Sequence, residues 1–355
     1  MIKALGIGAK EFGQQWVSLL TGLAIGLVGA VLFIFLTLPL PWIIGPIFAT
    51  SLAGLSGARL WIPNWLRLPS FWIVGTVFGL TITAQIGEQF FHWLPSIALV
   101  AFYTIAIVIP ITLYLIHVAK LDPLTAYFSA TPGGLVTMLA LAESYGADVK
   151  TFSLIQSMRL IVVIFAIPLA FRIFSNYAPP ASMNLSFVLA NPDYLELIFL
   201  TVVVPTSYVI AKCLRFPAPF VLGPLIGVAV LKLSGHVDTD IPSGVISCAL
   251  LVIGVSIGAM FFGVHFREAA KKLFHGAMVG VLMLVLGVVF AMIGMLIVDE
   301  PFEILILAFN PGGFAEMSLV AFGLGYDVTF VLAHQLVRIL VIMAFAPLAV
   351  SLVRR

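Results

Sequence analysis

Twelve apolar runs separated by short polar loops constrain this chain more than any other feature. They lie at about 14–37, 42–58, 70–87, 95–118, 122–142 and 151–172, and again at about 194–212, 219–235, 246–263, 274–297, 302–323 and 329–352. At 1.5 Å per residue most are long enough for a bilayer core of about 30 Å. Only 9% of the 355 residues are charged and 62% are apolar. A soluble globule of this size needs far more polar surface than 17 Lys/Arg and 15 Asp/Glu provide. A soluble enzyme, a cytosolic transcription factor and a disordered chain are thereby excluded, and an all-α polytopic membrane protein is expected.

The runs are not independent. PWIIGPIFATSLAGLSG (41–57) aligns with PFVLGPLIGVAVLKLSG (219–235) at an offset of 178, and ATPGGLVTM (130–138) with FNPGGFAEM (309–317) at 179. In the closing segments Asp148 meets Asp327, Gln156 meets Gln335, Arg159 meets Arg338 and Pro168 meets Pro347, again 179 apart. A constant offset shared by Pro, Gly, Asp, Gln and Arg points to a tandem duplication. The expected halves are 13–173 and 193–352, joined by a linker at 174–192.

Topology follows from the basic residues, because cytoplasmic loops carry the excess of Lys and Arg. Twelve full crossings would put nine inside against six outside. If the fifth segment of each half enters and leaves on one side, the count becomes thirteen against two, with only Arg172 and Lys232 outside. Ten spans plus two re-entrant segments are therefore expected. Five spans per half is odd, so the halves would be inverted, both termini cytoplasmic and the 174–192 linker periplasmic. The first run lacks a small-residue cleavage site and reads as an uncleaved span.

The fifth segments are broken by Thr131-Pro132-Gly133-Gly134 and Asn310-Pro311-Gly312-Gly313. Such a break frees backbone groups that lipid cannot satisfy, so protein or a watery cavity must surround it. The half-helix that follows each break offers free N–H groups, a seat for an anion; a kinked packing element is the plainer alternative. Arg159 and Arg338 stand eight residues inside apolar helices, where an arginine costs roughly 2.5–3.5 kcal/mol on insertion scales and needs a partner or a polar cavity. They could contact substrate, gate it, or bond the freed carbonyls; Gln156 and Gln335 share their helix faces. Glu316 replaces Thr137 of the first half, and could carry a proton or pair with Arg338. His334, opposite Ile155, reads as a hydrogen-bonded core histidine. Asp148 and Asp327 read as helix-start acids, and Gly75/Gly79 and Gly254/Gly258 as close-packing faces, either within a half or across halves.

The PWIIGP/PFVLGP openings and the TPGG…DV…Q…R and NPGG…DV…Q…R closings resemble the AbrB-like integral membrane family, over nearly the whole chain. The resemblance implies a bacterial inner-membrane protein of a family named for regulation of aidB expression and often labelled ammonia monooxygenase. It implies no relation to the small soluble DNA-binding AbrB, and supplies no substrate or site residues beyond the repeat positions.

Against an oxygenase stand His92, His117, His236, His265, His275 and His334, which are scattered rather than convergent. Cys213 and Cys248 form no metal motif, and no Gly-x-x-x-x-Gly-Lys-Ser/Thr loop is present for nucleotide hydrolysis. No cofactor, metal or nucleic-acid partner is expected. The expected partners are the lipid bilayer, a small-molecule or ion substrate and, in the membrane, further copies of the chain. The function read from these features is secondary transport of a small anion by alternating access. The alternative is a non-transporting regulator or sensor that affects gene expression indirectly.

Overall fold

The computed structural model describes residues 9–83, 85–133, 135–174, 194–237, 239–262 and 266–353. Within them the chain is a bundle of α-helices joined by short turns: α1 (Ala9–Phe35), α2 (Pro41–Leu55), α3 (Asn64–Thr81), α4 (Ile86–Ala106), α5 (Val108–His117), α6 (Pro123–Ala130), α7 (Leu135–Tyr145) and α8 (Val149–Phe174). After the linker region come α9 (Tyr194–Cys213), α10 (Pro219–Leu233), α11 (Ser243–Gly258), α12 (Phe266–Gly294), α13 (Phe302–Phe309), α14 (Phe314–Leu324) and α15 (Val328–Val353). The 174–192 linker lies, apart from Phe174, outside the described residues.

Seven helices among the described residues are long and apolar enough to cross a membrane, with α4 and α5 continuous as Ile86–His117. Large apolar side chains such as Leu20, Phe35, Phe91, Ile109, Val202 and Leu296 face outward. Water would oppose such a surface, whereas lipid tails solvate it. All ten expected spans are helices, but α2 and α10, with 15 residues each, fall short of a span by length alone, and α3 is not among the seven. Residues 264–273, the gap between two expected spans, are helical from Phe266 onward. The sequence FREAAKK is charged yet helix-compatible, so α12 starts a turn or two before its apolar part.

The expected breaks fall where the Pro-Gly-Gly sequences stand. Helix α6 ends at Ala130 and α7 starts at Leu135; α13 ends at Phe309 and α14 starts at Phe314, each bound 179 residues from its counterpart. Half-helices of 8 and 11 residues span only about 12 and 16 Å. The first pair doubles back: the Asp148 backbone N–H, just past α7, donates to Thr125 Oγ1 at the start of α6 (2.8 Å). In the second, Glu300 before α13 lies within electrostatic reach of Asp327 after α14.

The long helices α8 and α15 run in opposite directions. At one end of the bundle Lys272, near the start of α12, reaches Thr151 Oγ1 (2.5 Å) and Asp148 (3.7 Å) at the start of α8. At that same end Tyr114, late in α5, bonds His275 (2.9 Å). At the other end Trp93, early in α4, meets Phe330 edge-on at the start of α15 (5.4 Å). Since α4 and α5 connect these ends, α8 and α15 start at opposite ends.

The paired glycines pack across the halves. A Cβ built on Gly75 would lie 2.6 Å from Val221 O of α10, and one on Gly79 2.7 Å from Leu225 O. Reciprocally, a Cβ on Gly254 would lie 2.7 Å from Ile43 O of α2. Only the missing side chains let these backbones approach so closely.

Candidate functional site

The breaks leave helix carbonyls without intrahelical partners, and the two glutamines supply the missing donors. Gln156 Nε2, from α8, donates to Phe128 O (3.1 Å), Ser129 O (3.3 Å) and Thr131 O (3.0 Å). Gln335 Nε2, from α15, donates to Leu307 O (2.8 Å), Ala308 O (3.4 Å) and Asn310 O (3.1 Å). Each acceptor in one set is 179 residues from its counterpart. The carboxamide orientation is settled by chemistry, since only the NH2 end can face carbonyls. Both Oε1 atoms are then buried without a partner.

Thr131 and Asn310 close the ends of α6 and α13 alike: Thr131 Oγ1 donates to Tyr127 O (2.8 Å) and Asn310 Nδ2 to Ile306 O (3.0 Å). Pro132 and Pro311 are buried at the breaks. Each break abuts the long helix of the opposite half. A Cβ on Gly133 would lie 3.3 Å from Ile342 Cγ2 of α15, and one on Gly312 2.9 Å from Val163 Cγ1 of α8. Gly313 has φ +96°, a conformation open to glycine alone at little cost, and it starts α14. Gly134 lies outside the described residues.

Arg159 and Arg338 are 3% and 2% exposed. Arg338 Nη1 donates to Asn310 O (3.0 Å), one of the freed carbonyls, while its Nε has no partner. Arg159 has neither Nε nor Nη1 partnered. Val163, one turn past Arg159, packs on Gly312, two residues from the carbonyl that Arg338 bonds, so both arginines border the second break, and Tyr103 lies beside it. Tyr103, fully buried on α4, hydrogen-bonds Met283 O (3.2 Å) and packs against Phe309 beside the second break (5.8 Å between centroids). Sequence reasoning missed it because it has no counterpart at the repeat offset, where Leu282 stands.

Of the two readings of Glu316, pairing with Arg338 is not formed among the described contacts. Glu316 sits in the first turn of α14 and its carboxylate folds back over Gly313, where a built Cβ would collide with it. An acid at that position is favoured by the exposed N–H groups and the helix dipole. His334 is the satisfied core histidine expected: Nδ1 meets Phe330 O (2.8 Å) and Nε2 meets Ser96 Oγ (2.8 Å). Since the carbonyl can only accept, Nδ1 carries a proton.

The ends of the bundle differ in charge. Asp148, a helix-start acid as read, is held below the usual carboxylate range by the Thr151 hydroxyl, then by backbone N–H groups and Lys272. Glu300, at the opposite end, is pushed up by burial and by the neighbouring Asp327 and Asp299, against a hydrogen bond from Trp93.

Residues 42–354 match the family described as "Transition state regulatory protein AbrB". The chain is similar to a Bacillus subtilis (strain 168) protein named "Uncharacterized protein YhjN", 29% identical over 274 residues, covering 72% of this chain and 70% of that one. It is also similar to an Escherichia coli (strain K12) protein named "Putative regulator AbrB", 23% identical over 317 residues, covering 89% of this chain and 90% of that one.

Proposed function

The chain belongs to the membrane-type AbrB family, and from that premise we propose that it is a secondary transporter moving a small anion by alternating access. The observation that carries this reading is the pair of buried arginines beside the two helix breaks, each with unpartnered donors. Uncompensated guanidinium groups inside a bilayer protein call for an anionic ligand. The antiparallel α8 and α15, and the return of α6–α7 onto its own start, support two inverted halves, 13–173 and 193–352, of five spans and one re-entrant segment. Inverted repeats with broken helices give alternating access a simple origin, because each half can take the other's role. The charge count then assigns the end bearing Lys120, Lys150, Lys271 and Lys272 to the cytoplasm of a bacterial inner membrane, with both termini on that side. We read no enzymatic chemistry in this arrangement.

Purified protein in sealed vesicles is expected to exchange a labelled small carboxylate across the membrane without nucleotide. Arg159→Leu or Arg338→Leu should abolish exchange while leaving membrane insertion intact or improved. The second reading, a sensor that binds without moving its ligand, is favoured only by the printed name of the E. coli relative. Tight anion binding with neither uptake nor exchange would decide for it.

A further inference from the structure

The anion-transport reading leaves the charge of the ligand open, and the core bears on it. Arg159 and Arg338 bring two buried positive charges to the region of the second break, Arg338 through its bond to Asn310 O and Arg159 through Val163, one turn on, which packs on Gly312. Among the described residues no carboxylate answers them. Glu316, the acid of the nearby α14, is turned onto Gly313, and among the described residues neither arginine has an ion pair. Tyr103, beside the same break, donates its hydroxyl to Met283 O and so offers no negative charge. A monoanion would leave one buried guanidinium uncompensated, a state that is strongly destabilising.

Symmetry narrows the choice further. The two arginines occupy positions 179 residues apart on helices that run in opposite directions, so they approach the core from equivalent places in the two halves. Each retains free donors, Nε and Nη1 on Arg159 and Nε on Arg338. Two buried guanidinium groups, each with a free Nε–H, match a ligand with two anionic ends. We propose that the site takes a small dicarboxylate whose two carboxylates each meet one of the arginines. The proposal rests on the anion-site reading above.

The test titrates the purified full chain in detergent at pH 7.5 and fixed ionic strength, by calorimetry. The probes are malonate, succinate and glutarate, with succinamate, glutaramate and propionate as singly charged counterparts. The expected result is at least one dicarboxylate binding tenfold or more tightly than its monoamide, at one ligand per chain. Arg159→Gln and Arg338→Gln should each bring that ratio to within twofold of unity. On the unaltered protein no variant has to fold. A dicarboxylate and its monoamide within twofold of each other, or two propionates bound per chain, would overturn the dicarboxylate while sparing the anion site. Failure of every anion to bind would remove the anion site itself.

Discussion

The backbone N–H of Asp148 donates a 2.8 Å hydrogen bond to Thr125 Oγ1. One bond between the residue after α7 and the first turn of α6 brings the end of the broken segment back to its start. Had that segment crossed the bilayer, these two residues would stand about 30 Å apart. The parity of the whole chain depends on this return.

Single cysteines in a background of Cys213→Ser and Cys248→Ser test it directly. Both native cysteines are free and exposed, so their loss should be tolerated. Cysteines at Lys120, Lys150 and Lys271 should be labelled by an impermeant maleimide from the cytoplasmic side, and those at Asp240, Asp299 and Glu303 from the other. Opposite labelling at 120 and 150 would make the broken segment a full crossing.

The glutamines should behave as structural donors. Gln156→Leu or Gln335→Leu removes three hydrogen bonds and leaves Ser129 O, or Leu307 O and Ala308 O, short of a partner, at a cost of about 1–3 kcal/mol. Thermal unfolding in detergent should show comparable losses for both. An unchanged Tm for either would mean that water already serves those carbonyls.

The glycine seams predict a sharp positional contrast. Gly75→Ala, Gly79→Ala and Gly254→Ala place a methyl group within 2.6–2.7 Å of a backbone oxygen of the opposite half and should destabilise by about 1–3 kcal/mol. Gly87→Ala, on α4 with nothing within 4 Å, should be neutral or gain about 0.5 kcal/mol. Equal effects at all four positions would contradict close packing.

Two carboxylates set opposite pH trends. Asp148 has a folded value below its ordinary 3.8, so it contributes stability above that value and loses it as pH falls through the folded one. Asp148→Asn should therefore lower stability at pH 7 and converge with the native protein in acid; with its side chain about half exposed the effect is small. Glu300 has a folded value above its ordinary 4.5, so its penalty develops as pH rises from there. Glu300→Gln should stabilise at pH 7–8 and do nothing at pH 4. Unfolding curves across pH 4–8 would reveal a reversed sign in either case.

Glu316 separates coupling from packing. Its carboxylate faces the start of α14 rather than Arg338, so Glu316→Gln should keep the helix-start contact and most of the stability. If the group carries a proton, gradient-driven uptake should fall while exchange persists. Equal loss of both modes would make it a structural cap.

The breaks, the half-helices and the paired Gln and Arg positions were legible because backbone chemistry in lipid tolerates few exceptions, and the repeat marked them twice. What was not legible had no repeat signal or depended on distant partners. Tyr103 and the Ser96–His334 bond are single-copy contacts between remote segments. The glycine faces announced close packing, but only coordinates identify α10 and α2 as their partners. Glu316 was read toward Arg338 from its proximity to the break. A tight turn at Gly313 instead favours the shortest return path for the side chain.

The cross-half glycine seams also govern how the chain is born. The groove of α3 is filled by α10, whose first residues are made about 140 residues later, and α8 waits for α12, whose Gly276 and Gly280 press against it. At about 5–20 residues per second, the first half spends roughly 7–30 s in the membrane with those faces bare. During that interval its partners are lipids, insertion machinery or another nascent first half. Quality control of this protein is thus a matter of timing: slowing synthesis between 174 and 219 lengthens the vulnerable period without altering a single native contact.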